Sequence, residues 1–180
     1  MQTIYLITTG GTIEKEYNEQ LGVVLNTSSK IGQYLKQLRL PDCEVKVIPL
    51  MNKDSLEMTS ADRAILVNEL SKLLPQKFPV VITHGTDTMV ESGLFIEDAF
   101  PALDVPVVLT GAMKPLGFDH SDGLQNLTES LLAARLLGPG VHVVIHGQVF
   151  PVSQARKDRD LGTFVRTQQG PELSGTEDEK

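Results

Sequence analysis

Cysteine, tryptophan and positive charge are all scarce in this sequence of 180 residues. Cys43 is the single cysteine, which excludes an internal disulfide framework and a cysteine-based zinc cluster. Tryptophan is absent and aromatic residues amount to 5%, so aliphatic side chains must fill the core that a hydrophobic content of 41% permits. The formal net charge of −7 argues against nucleic acid as the main partner, because proteins that bind phosphate backbones concentrate lysine and arginine.

Long apolar runs are also missing from the sequence. No stretch approaches the ~20 apolar residues that a membrane-spanning helix requires. The opening segment, MQTIYLIT, is too short for a signal peptide and has the pattern of a β-strand. The four histidines lack the tight spacing of metal ligands, so no metal site is expected. We therefore expect a soluble, cytoplasmic protein that has no membrane partner.

Short apolar strand patterns alternate with helical patterns along most of the chain. The strand patterns are QTIYLIT, CEVKVIPLM, PVVITH, VPVVLTG and GVHVVIHG. Continuous apolar strands separated by helices predict a parallel sheet that is covered on both faces. We expect a doubly wound α/β fold, with one domain over 1–165 and a polar, acidic tail over 166–180.

The segments between these strands predict a hairpin and several helices. Polar residues 13–26 favour a hairpin or a mobile flap. A helix follows, for which Thr27 or Ser28 would be the cap. Its apolar residues recur at helical spacing, at Ile31, Leu35 and Leu38. Thr59 and Asp62 resemble a capping box that opens the next helix. The apolar side of that helix is predicted to comprise Ile65, Leu66, Leu70, Leu73 and Leu74.

The loops that leave the carboxyl ends of the strands are where a ligand binds in an open α/β sheet. The first loop, TTGGT, lacks both the dinucleotide-binding glycine pattern and a Walker A lysine, and its glycines are equally explained by a simple turn. The loop THGTDT concentrates three threonines and Asp87, whereas a helix N-terminus would require only one cap. His84, at the end of a buried strand, is expected to be a core histidine.

The motifs TTGGTI and THGTDTM resemble the two threonine motifs of the bacterial-type L-asparaginase/glutaminase family. LTGAMKP and SDGLQNL resemble two further segments of that family, and the likeness covers residues 1–160 with the segments in order. The resemblance implies a flavodoxin-like parallel core with an unusual left-handed crossover. It also implies the hydrolysis of an amide by covalent catalysis, without a metal or an organic cofactor.

The same resemblance implies a catalytic set of five residues. Thr12 would be the nucleophile, and Tyr17 would be the flap tyrosine that assists it. Thr86 would be a second essential threonine, with Lys157 behind it, and Asp87 would hold the α-ammonium group of the substrate. Without the resemblance, Tyr17 suits flap packing equally well, and the run ARKDRD around Lys157 is typical of a solvated surface. Lys157 either takes a proton from Thr86 or stays charged and orients its partners, and the sequence leaves both open.

A substrate-binding set is implied as well. Ser55 would bind the α-carboxylate of the substrate, with Glu57 close by, while Asp87 would bind the ammonium group. Backbone N–H groups near Gly11 and Thr86 are candidate donors to the oxyanion of an acyl-transfer intermediate. The expected substrate is L-Asn, with L-Gln as an alternative.

The chain departs from the longer members of the family, which carry a second domain. In those members an acidic residue of a neighbouring subunit completes the ammonium pocket, whereas this chain resembles the short, single-domain form. Glu14, Glu16, Glu57 or a residue of another copy would then supply the missing charge. A homo-oligomer, either dimer or tetramer, is expected because the sites of the family lie at subunit interfaces.

The function expected on these grounds is that of a short L-asparaginase that works through an acyl-threonine at Thr12. An amidase for L-Gln or another small amide stays open, including the tRNA-linked amidotransferase relatives, which the acidic net charge disfavours. A non-catalytic amino-acid sensor on the same fold also stays open. Retention of Thr12, Thr86, Asp87 and Lys157 together argues against the sensor.

Overall fold

The computed structural model describes residues 1–26 and 29–167. The strands within these residues are β1 (Gln2–Gly10), β2 (Lys15–Asn18), β3 (Val23–Asn26), β4 (Cys43–Lys53), β5 (Val80–Thr83), β6 (Pro106–Thr110), β7 (Gly140–Ile145), β8 (Gln148–Pro151), β9 (Ala155–Asp158) and β10 (Thr163–Arg166). The α-helices are α1 (Ile31–Leu35), α2 (Ser60–Leu73), α3 (Met89–Ala99) and α4 (Gly123–Leu136). Short 3₁₀ helices lie at Thr12–Glu14, Ser55–Glu57, Leu74–Gln76 and Val152–Gln154.

The main sheet has six strands in the order β4-β1-β5-β6-β7-β8. The first five pair in parallel, and β8 pairs antiparallel with β7 at one edge. The parallel strands therefore follow one another in the order of the flavodoxin-like fold. This confirms the predicted α/β class, with a mainly parallel sheet. Two small hairpins, β2–β3 and β9–β10, lie apart from that sheet.

Two apolar cores cover the two faces of the sheet, because successive residues of a strand point to opposite sides. The first core joins alternate residues of the strands to α2 and α3, and includes Ile7, Ile82 and Phe164. The second core joins the intervening strand residues to α1 and α4, and includes Ile4 and Val81. The helices therefore lie on both faces, as the doubly wound prediction requires.

The connection β6–α4–β7 has the opposite hand from the other three crossovers. Both α3 and α4 connect strands that advance in the same direction across the sheet, yet they pack on opposite faces. The connection through α2, from β4 to β5, runs across the sheet in the same direction as the α3 connection and packs on the same face. The connection through α1, from β1 to β4, runs in the other direction and packs on the other face. These three connections therefore have the same hand. Because right-handed crossovers are nearly universal, the α4 connection is the left-handed one.

The capping box at the start of α2 is present as predicted. The Thr59 side chain accepts a hydrogen bond from the Asp62 N–H, and the Asp62 side chain accepts one from the Thr59 N–H. Leu66 and Leu70 are buried against the sheet. The assignment of Ile65 to the same side was wrong, because this residue is 50% exposed to solvent.

The prediction for α1 was too long. The helix ends at Leu35, so Leu38 lies beyond it, and Lys30 occupies the N-cap position. Gly32 lowers the intrinsic helix propensity of this short segment. Thr27 and Ser28, the predicted caps, lie outside the described residues.

The polar segment 13–26 forms the antiparallel hairpin β2–β3, as expected. Strands β8, β9 and β10 were not predicted, because none of them has a clear apolar run. Arg166, at the start of the predicted tail, ends β10, and residues 168–180 of that tail lie outside the described residues. In the described part of the chain, no helix combines the length and apolar character needed to cross a membrane.

Candidate active site

Three loops meet at the carboxyl ends of β1, β4 and β5 with almost no space between their backbones. The Gly11 N–H donates to the Lys53 carbonyl over 2.8 Å. A Cβ atom added at Gly11 would lie 2.3 Å from the Gly85 nitrogen, and one at Gly85 would lie 2.5 Å from the Ser55 Oγ. Glycine is therefore required at both positions, and it brings Thr12, Ser55 and the 83–88 loop into one region.

Thr12 is the first residue of the 3₁₀ helix that follows β1, and it is only partly buried. Gly11, just before it, has φ of 77°, a conformation that glycine adopts readily. The Gly11 N–H was a candidate oxyanion donor, but it is already bonded to Lys53. The N–H groups of Thr12 and Thr86 are better candidates, because neither donates a hydrogen bond within the described residues.

Glu14 lies beneath the Gly10–Gly11 turn, with only 3% of its surface exposed. Its Oε2 accepts hydrogen bonds from the Gly10 N–H over 2.9 Å and from the Thr83 hydroxyl over 3.5 Å. Burial raises the pKa of the Glu14 carboxyl, although hydrogen bonds from Ser29, Gly10 and Thr83 act in the opposite direction. Because Glu14 is enclosed in this way, its position does not favour the hypothesis that it binds the substrate ammonium.

Lys157, Thr86 and Asp87 form a hydrogen-bonded cluster at the opening of the 83–88 loop. Lys157 Nζ lies 2.7 Å from Thr86 Oγ1 and 3.0 Å from Asp87 Oδ1. The structure thus brings together three of the five residues of the predicted catalytic set, across a sequence separation of 71 residues between Thr86 and Lys157. Strand β9 supplies the lysine, and Phe164 on the paired strand β10 is buried in the first core.

Arg159 also contacts this cluster, and the sequence analysis missed it. Its Nη2 lies 2.7 Å from Asp87 Oδ1, the same oxygen that Lys157 contacts. Arg159 is the first residue after β9, in the turn that leads to β10, so strand alternation does not predict this contact. Arg159 stands two positions after Lys157, within ARKDRD, a mixed-charge run of the kind that usually lies in solvent.

Ser55 and Glu57 occupy the 3₁₀ helix after β4, where the resemblance implied a carboxylate pocket. Ser55 is buried, and its carbonyl accepts a hydrogen bond from the Thr88 hydroxyl over 2.8 Å. The preceding residue, Asp54, forms an ion pair with Lys15, and the hydrogen bond from that lysine lowers the pKa of the Asp54 carboxyl. Glu57 is exposed, in a pocket lined also by Lys15 and Asp54.

Tyr17 lies on β2 and is 57% exposed, and its hydroxyl makes no hydrogen bond to Thr12 within the described residues. Asn26, on the other strand of the hairpin, donates from Nδ2 to the Gly11 carbonyl over 2.9 Å and to Asn52 Oδ1 over 3.0 Å. The hairpin is therefore attached beside the first loop through its base.

His84 is enclosed in the core, as the sequence analysis expected. One ring nitrogen lies 2.8 Å from the Gly85 carbonyl and the other 3.0 Å from the Met58 sulfur. Burial lowers the pKa of His84 to about 4, so the neutral ring is the form that fits this position. Among the residues described, no group of three or more His, Cys, Asp or Glu side chains is arranged to hold a metal ion.

A second network, which the sequence did not predict, fixes the loop after β6. Asp122 accepts hydrogen bonds from the Met113 and Lys114 N–H groups, each over 2.9 Å, and lies 2.8 Å from His146 Nε2. Burial alone would raise the pKa of Asp122, but hydrogen bonds from Met113, His146 and Lys114 outweigh it and the pKa is lowered. Asn126 donates to the Gly111 carbonyl over 2.9 Å, so the GAMKP and SDGLQNL segments form one structural unit.

Comparison with known proteins identifies related sequences and structures. The L-asparaginase of Thermococcus kodakarensis is 26% identical over 159 residues, which cover 88% of this chain and 48% of the relative. A solved structure of the thermostable L-asparaginase from that organism superposes with a TM-score of 0.80, over 92% of this chain and 51% of that chain, at 26% identity. A probable cytoplasmic L-asparaginase from Campylobacter jejuni gives a TM-score of 0.74 at 26% identity, over 92% and 52% of the two chains.

A third relative has a different name. One subunit of the glutamyl-tRNA(Gln) amidotransferase of Aeropyrum pernix is 30% identical over 152 residues, which cover 82% of this chain and 35% of the relative. The chain thus spans about half or less of the length of these curated relatives. Its sequence matches the family described as Asparaginase, N-terminal over residues 3–173. Because that match spans almost the whole sequence and the fold agrees with it, the chain belongs to the asparaginase family.

Proposed function

We propose that this protein is an L-asparaginase, which hydrolyses L-Asn to L-Asp and ammonia through an acyl-threonine at Thr12. The observation that carries the proposal is the contact of Lys157 Nζ with Thr86 Oγ1 at 2.7 Å, beside Asp87. An amine within hydrogen-bond distance of a buried threonine hydroxyl is the arrangement that activates or orients a nucleophile. Its position at the carboxyl ends of parallel strands is where α/β folds bind ligands.

In the first step, the Thr12 hydroxyl oxygen attacks the side-chain amide carbon of the substrate. The β2–β3 hairpin would bring Tyr17 near, and the Thr12 hydroxyl proton would pass to Tyr17. The proton would then pass to the departing nitrogen, which leaves as ammonia. The Thr12 and Thr86 N–H groups would stabilise the oxyanion that forms between these events. The product of this step is an ester between the Thr12 oxygen and the aspartyl side chain.

In the second step, a water molecule attacks the ester carbon and releases L-Asp. Thr86 and Lys157 would position this water and accept its proton, and the proton returns to the Thr12 oxygen as the ester bond breaks. Ser55 and nearby backbone amides would hold the substrate carboxylate. Holding the far end of the substrate in this way aligns the scissile amide with Thr12 and converts part of the binding energy into rate.

Ammonia release from L-Asn, measured beside L-Gln, tests this proposal. Thr12→Ala should lower kcat by about 10³-fold or more, as expected for the loss of a nucleophile. Hydroxylamine added to the wild type should divert the acyl-threonine to the hydroxamate of aspartate. Thr128→Ala is a matched control, because Thr128 is exposed on α4 and its hydroxyl donates to the Leu124 carbonyl of the same helix.

Full activity in Thr12→Ala would overturn the proposed nucleophile. Faster release from L-Gln than from L-Asn would replace the proposed substrate. Binding of L-Asn without release of ammonia from either amide would favour the amino-acid sensor over the enzyme.

We also propose a single catalytic domain over 1–165, a cytoplasmic location and a homo-oligomer, either dimer or tetramer. The name of the Campylobacter jejuni protein supports the location. An apolar groove between α4 and β8 supports self-association, because Leu132, Leu136 and Val149 line it and are exposed. Light scattering of the purified protein tests the oligomer, and a monomer with full activity would contradict it.

A further inference from the structure

The ring of His146, just after β7, joins two parts of the chain that are far apart in sequence. Its Nε2 lies 2.8 Å from Asp122 Oδ2, and its Nδ1 lies 2.8 Å from Thr163 Oγ1. Asp122 directly precedes α4, and Thr163 is the first residue of β10. The side chains of His146 and Asp122 are 25% and 17% exposed, so their contact is only partly screened by water. We call these three side chains the His146 bridge.

Both contacts of the His146 bridge can form in either protonation state of the ring. Asp122 Oδ2 also accepts hydrogen bonds from the Met113 N–H and from Asn126 Nδ2, each over 2.9 Å, so this oxygen is an acceptor and Nε2 donates to it. In the neutral ring, Nδ1 accepts the hydroxyl proton of Thr163. In the charged ring, Nδ1 donates to the same hydroxyl oxygen, because a hydroxyl group can both donate and accept.

The Asp122 end of the bridge supports the loop that packs beside Thr86. Asp122 accepts hydrogen bonds from the Met113 and Lys114 N–H groups, each over 2.9 Å. A Cβ atom added at Gly111, just before these residues, would lie only 3.3 Å from Thr86 Cγ2. This end of the bridge therefore fixes a wall against which Thr86 rests.

The Thr163 end of the bridge supports the hairpin that carries Lys157. In this hairpin Thr163 is paired with Asp158, and Phe164 with Lys157. Opposite residues of an antiparallel pair project to the same face, whereas successive residues project to opposite faces. Phe164, which is fully buried, therefore shares a face with Lys157, and Thr163 lies on the other face. The hairpin is thus held by core packing on one face and by His146 on the other.

We propose that His146 is a positioning residue, which sets the 2.7 Å contact of Lys157 Nζ with Thr86 Oγ1 by joining the wall beside Thr86 to the β9–β10 hairpin. The proposal rests on the proposed function, since that contact carries it. Loss of one hydrogen bond of the bridge should reduce the aligned population by about three- to tenfold. Because His146 acts through the hairpin and not on the substrate, kcat should fall while KM for L-Asn stays within about twofold.

Substitutions at Thr163 test the bridge with little change in volume. Thr163→Val removes the hydroxyl group, and Thr163→Ser keeps it. We expect kcat for L-Asn to fall about three- to tenfold in Thr163→Val and to stay near the wild-type value in Thr163→Ser.

A second pair of variants tests the ring itself. His146→Leu and His146→Gln both keep a side chain at the φ of +52° that this position requires. Glutamine can donate to Asp122 and accept from Thr163 as the ring does, so His146→Gln should restore most of the kcat that His146→Leu loses. His142→Leu is the matched control, because it removes a histidine of β7 whose ring lies 3.3 Å from the Gly138 carbonyl, before the start of that strand. It should leave kcat unchanged.

The position of Lys157 is measured independently of activity. Trace acetylation followed by peptide mass spectrometry gives the reactivity of the Lys157 amine relative to that of Lys72, which is 60% exposed on α2. The Lys157 side chain is 20% exposed and hydrogen-bonded to Thr86 and Asp87. Its release should therefore raise the relative labelling by about three- to tenfold in Thr163→Val. The same rise is expected in His146→Leu.

The two measurements separate this proposal from the proposed function. Raised labelling in Thr163→Val and His146→Leu, without ammonia release from L-Asn in the wild type, would leave the positioning of Lys157 standing and overturn the asparaginase reaction. Ammonia release from L-Asn with unchanged labelling or unchanged kcat in both variants would do the reverse. A loss of activity in Thr163→Ser as large as that in Thr163→Val, or an equal loss in His142→Leu, would overturn the role assigned to His146.

Discussion

The two halves of the candidate site are held in place in different ways. Thr86, Asp87 and Lys157 are joined to one another by hydrogen bonds and ion pairs at the end of the main sheet. Tyr17, by contrast, is 57% exposed on a two-stranded hairpin whose base is attached beside Gly11 through Asn26. The fold therefore preorganises the lysine–threonine half, whereas within the described residues no hydrogen bond or ion pair fixes the Tyr17 side chain.

The largest effect is expected where backbones pack most closely, beneath Thr12. Gly11→Ala would place a Cβ atom 2.3 Å from the Gly85 nitrogen at a φ of +77°, so it should destabilise the protein by roughly 3 kcal/mol or more and abolish activity. Gly22→Ala is the matched control on the hairpin. Its φ is +66° with nothing within 4 Å of the added Cβ, so it should cost only about 1 kcal/mol.

Chemical denaturation of both variants measures this difference. Equal losses of stability would show that backbone conformation alone, and not the contact between the two loops, decides the cost. That result would contradict the inference that the half of the site at the end of the main sheet is held more rigidly than the hairpin.

The next largest effect is on activity, and here Tyr17 and Lys157 should differ in what their loss does to stability. Tyr17→Phe and Lys157→Met should each lower kcat by about 10²-fold or more if both take part in proton transfer. Only Lys157→Met should also lower stability, by about 1–2 kcal/mol, because it leaves the buried Thr86 hydroxyl without its partner. Tyr17→Phe should keep stability within about 0.5 kcal/mol, since an exposed hydroxyl without partners is removed.

Steady-state kinetics and thermal unfolding of the same preparations make this comparison. Unchanged activity in Tyr17→Phe would assign Tyr17 to flap packing, the alternative that the sequence left open. A large loss of stability in that variant would show that the hairpin is an integral part of the fold.

The smallest effect concerns Glu14, which joins the Gly10–Gly11 turn to Thr83 at the end of β5. Burial raises the pKa of Glu14 above its ordinary value of 4.5, so the folded protein holds this proton more tightly than the unfolded chain. Stability should therefore be greatest below that ordinary pKa and fall as pH rises through the folded pKa. Glu14→Gln does not ionise and should raise the melting temperature at pH 8 by about 3 °C, on the order of 1 kcal/mol.

Melting temperatures from pH 4 to pH 8 provide the measurement. Glu19→Gln, which alters an exposed carboxylate in the hairpin turn, serves as the control and should leave the profile unchanged. A Glu14→Gln variant that is less stable at every pH would show that the carboxylate form is the one the fold requires.

The sequence predicted the parallel strands because each is a short apolar run, as at Val80–Thr83. It could not predict the hand of the α4 crossover from periodicity, since an apolar stripe does not specify which face of the sheet it covers. Strands β8 to β10 escaped prediction because polar, charged or proline residues interrupt each of them, so that none forms an apolar run like Val80–Thr83.

In the candidate site, too, some residues could be predicted from local sequence and others could not. The threonine loop was found from its unusual density of hydroxyl groups, but Lys157 was assigned through the family resemblance alone. Arg159 was missed because a mixed-charge run usually lies in solvent, and only the three-dimensional contact with Asp87 sets it apart. Whether Tyr17 reaches Thr12 depends on the position of the hairpin, which local sequence does not determine.

The left-handed crossover has a consequence for the order in which the site can be completed. Because α4 lies on the face opposite α3, the space beside α3 is left to the Val152–Gln154 turn and to Phe164, behind the strand that carries Lys157. During synthesis the chain emerges from its amino end, so all five parallel strands precede the lysine. A nascent chain that has reached residue 154 contains the complete parallel sheet and both threonine loops, yet no amine for Thr86.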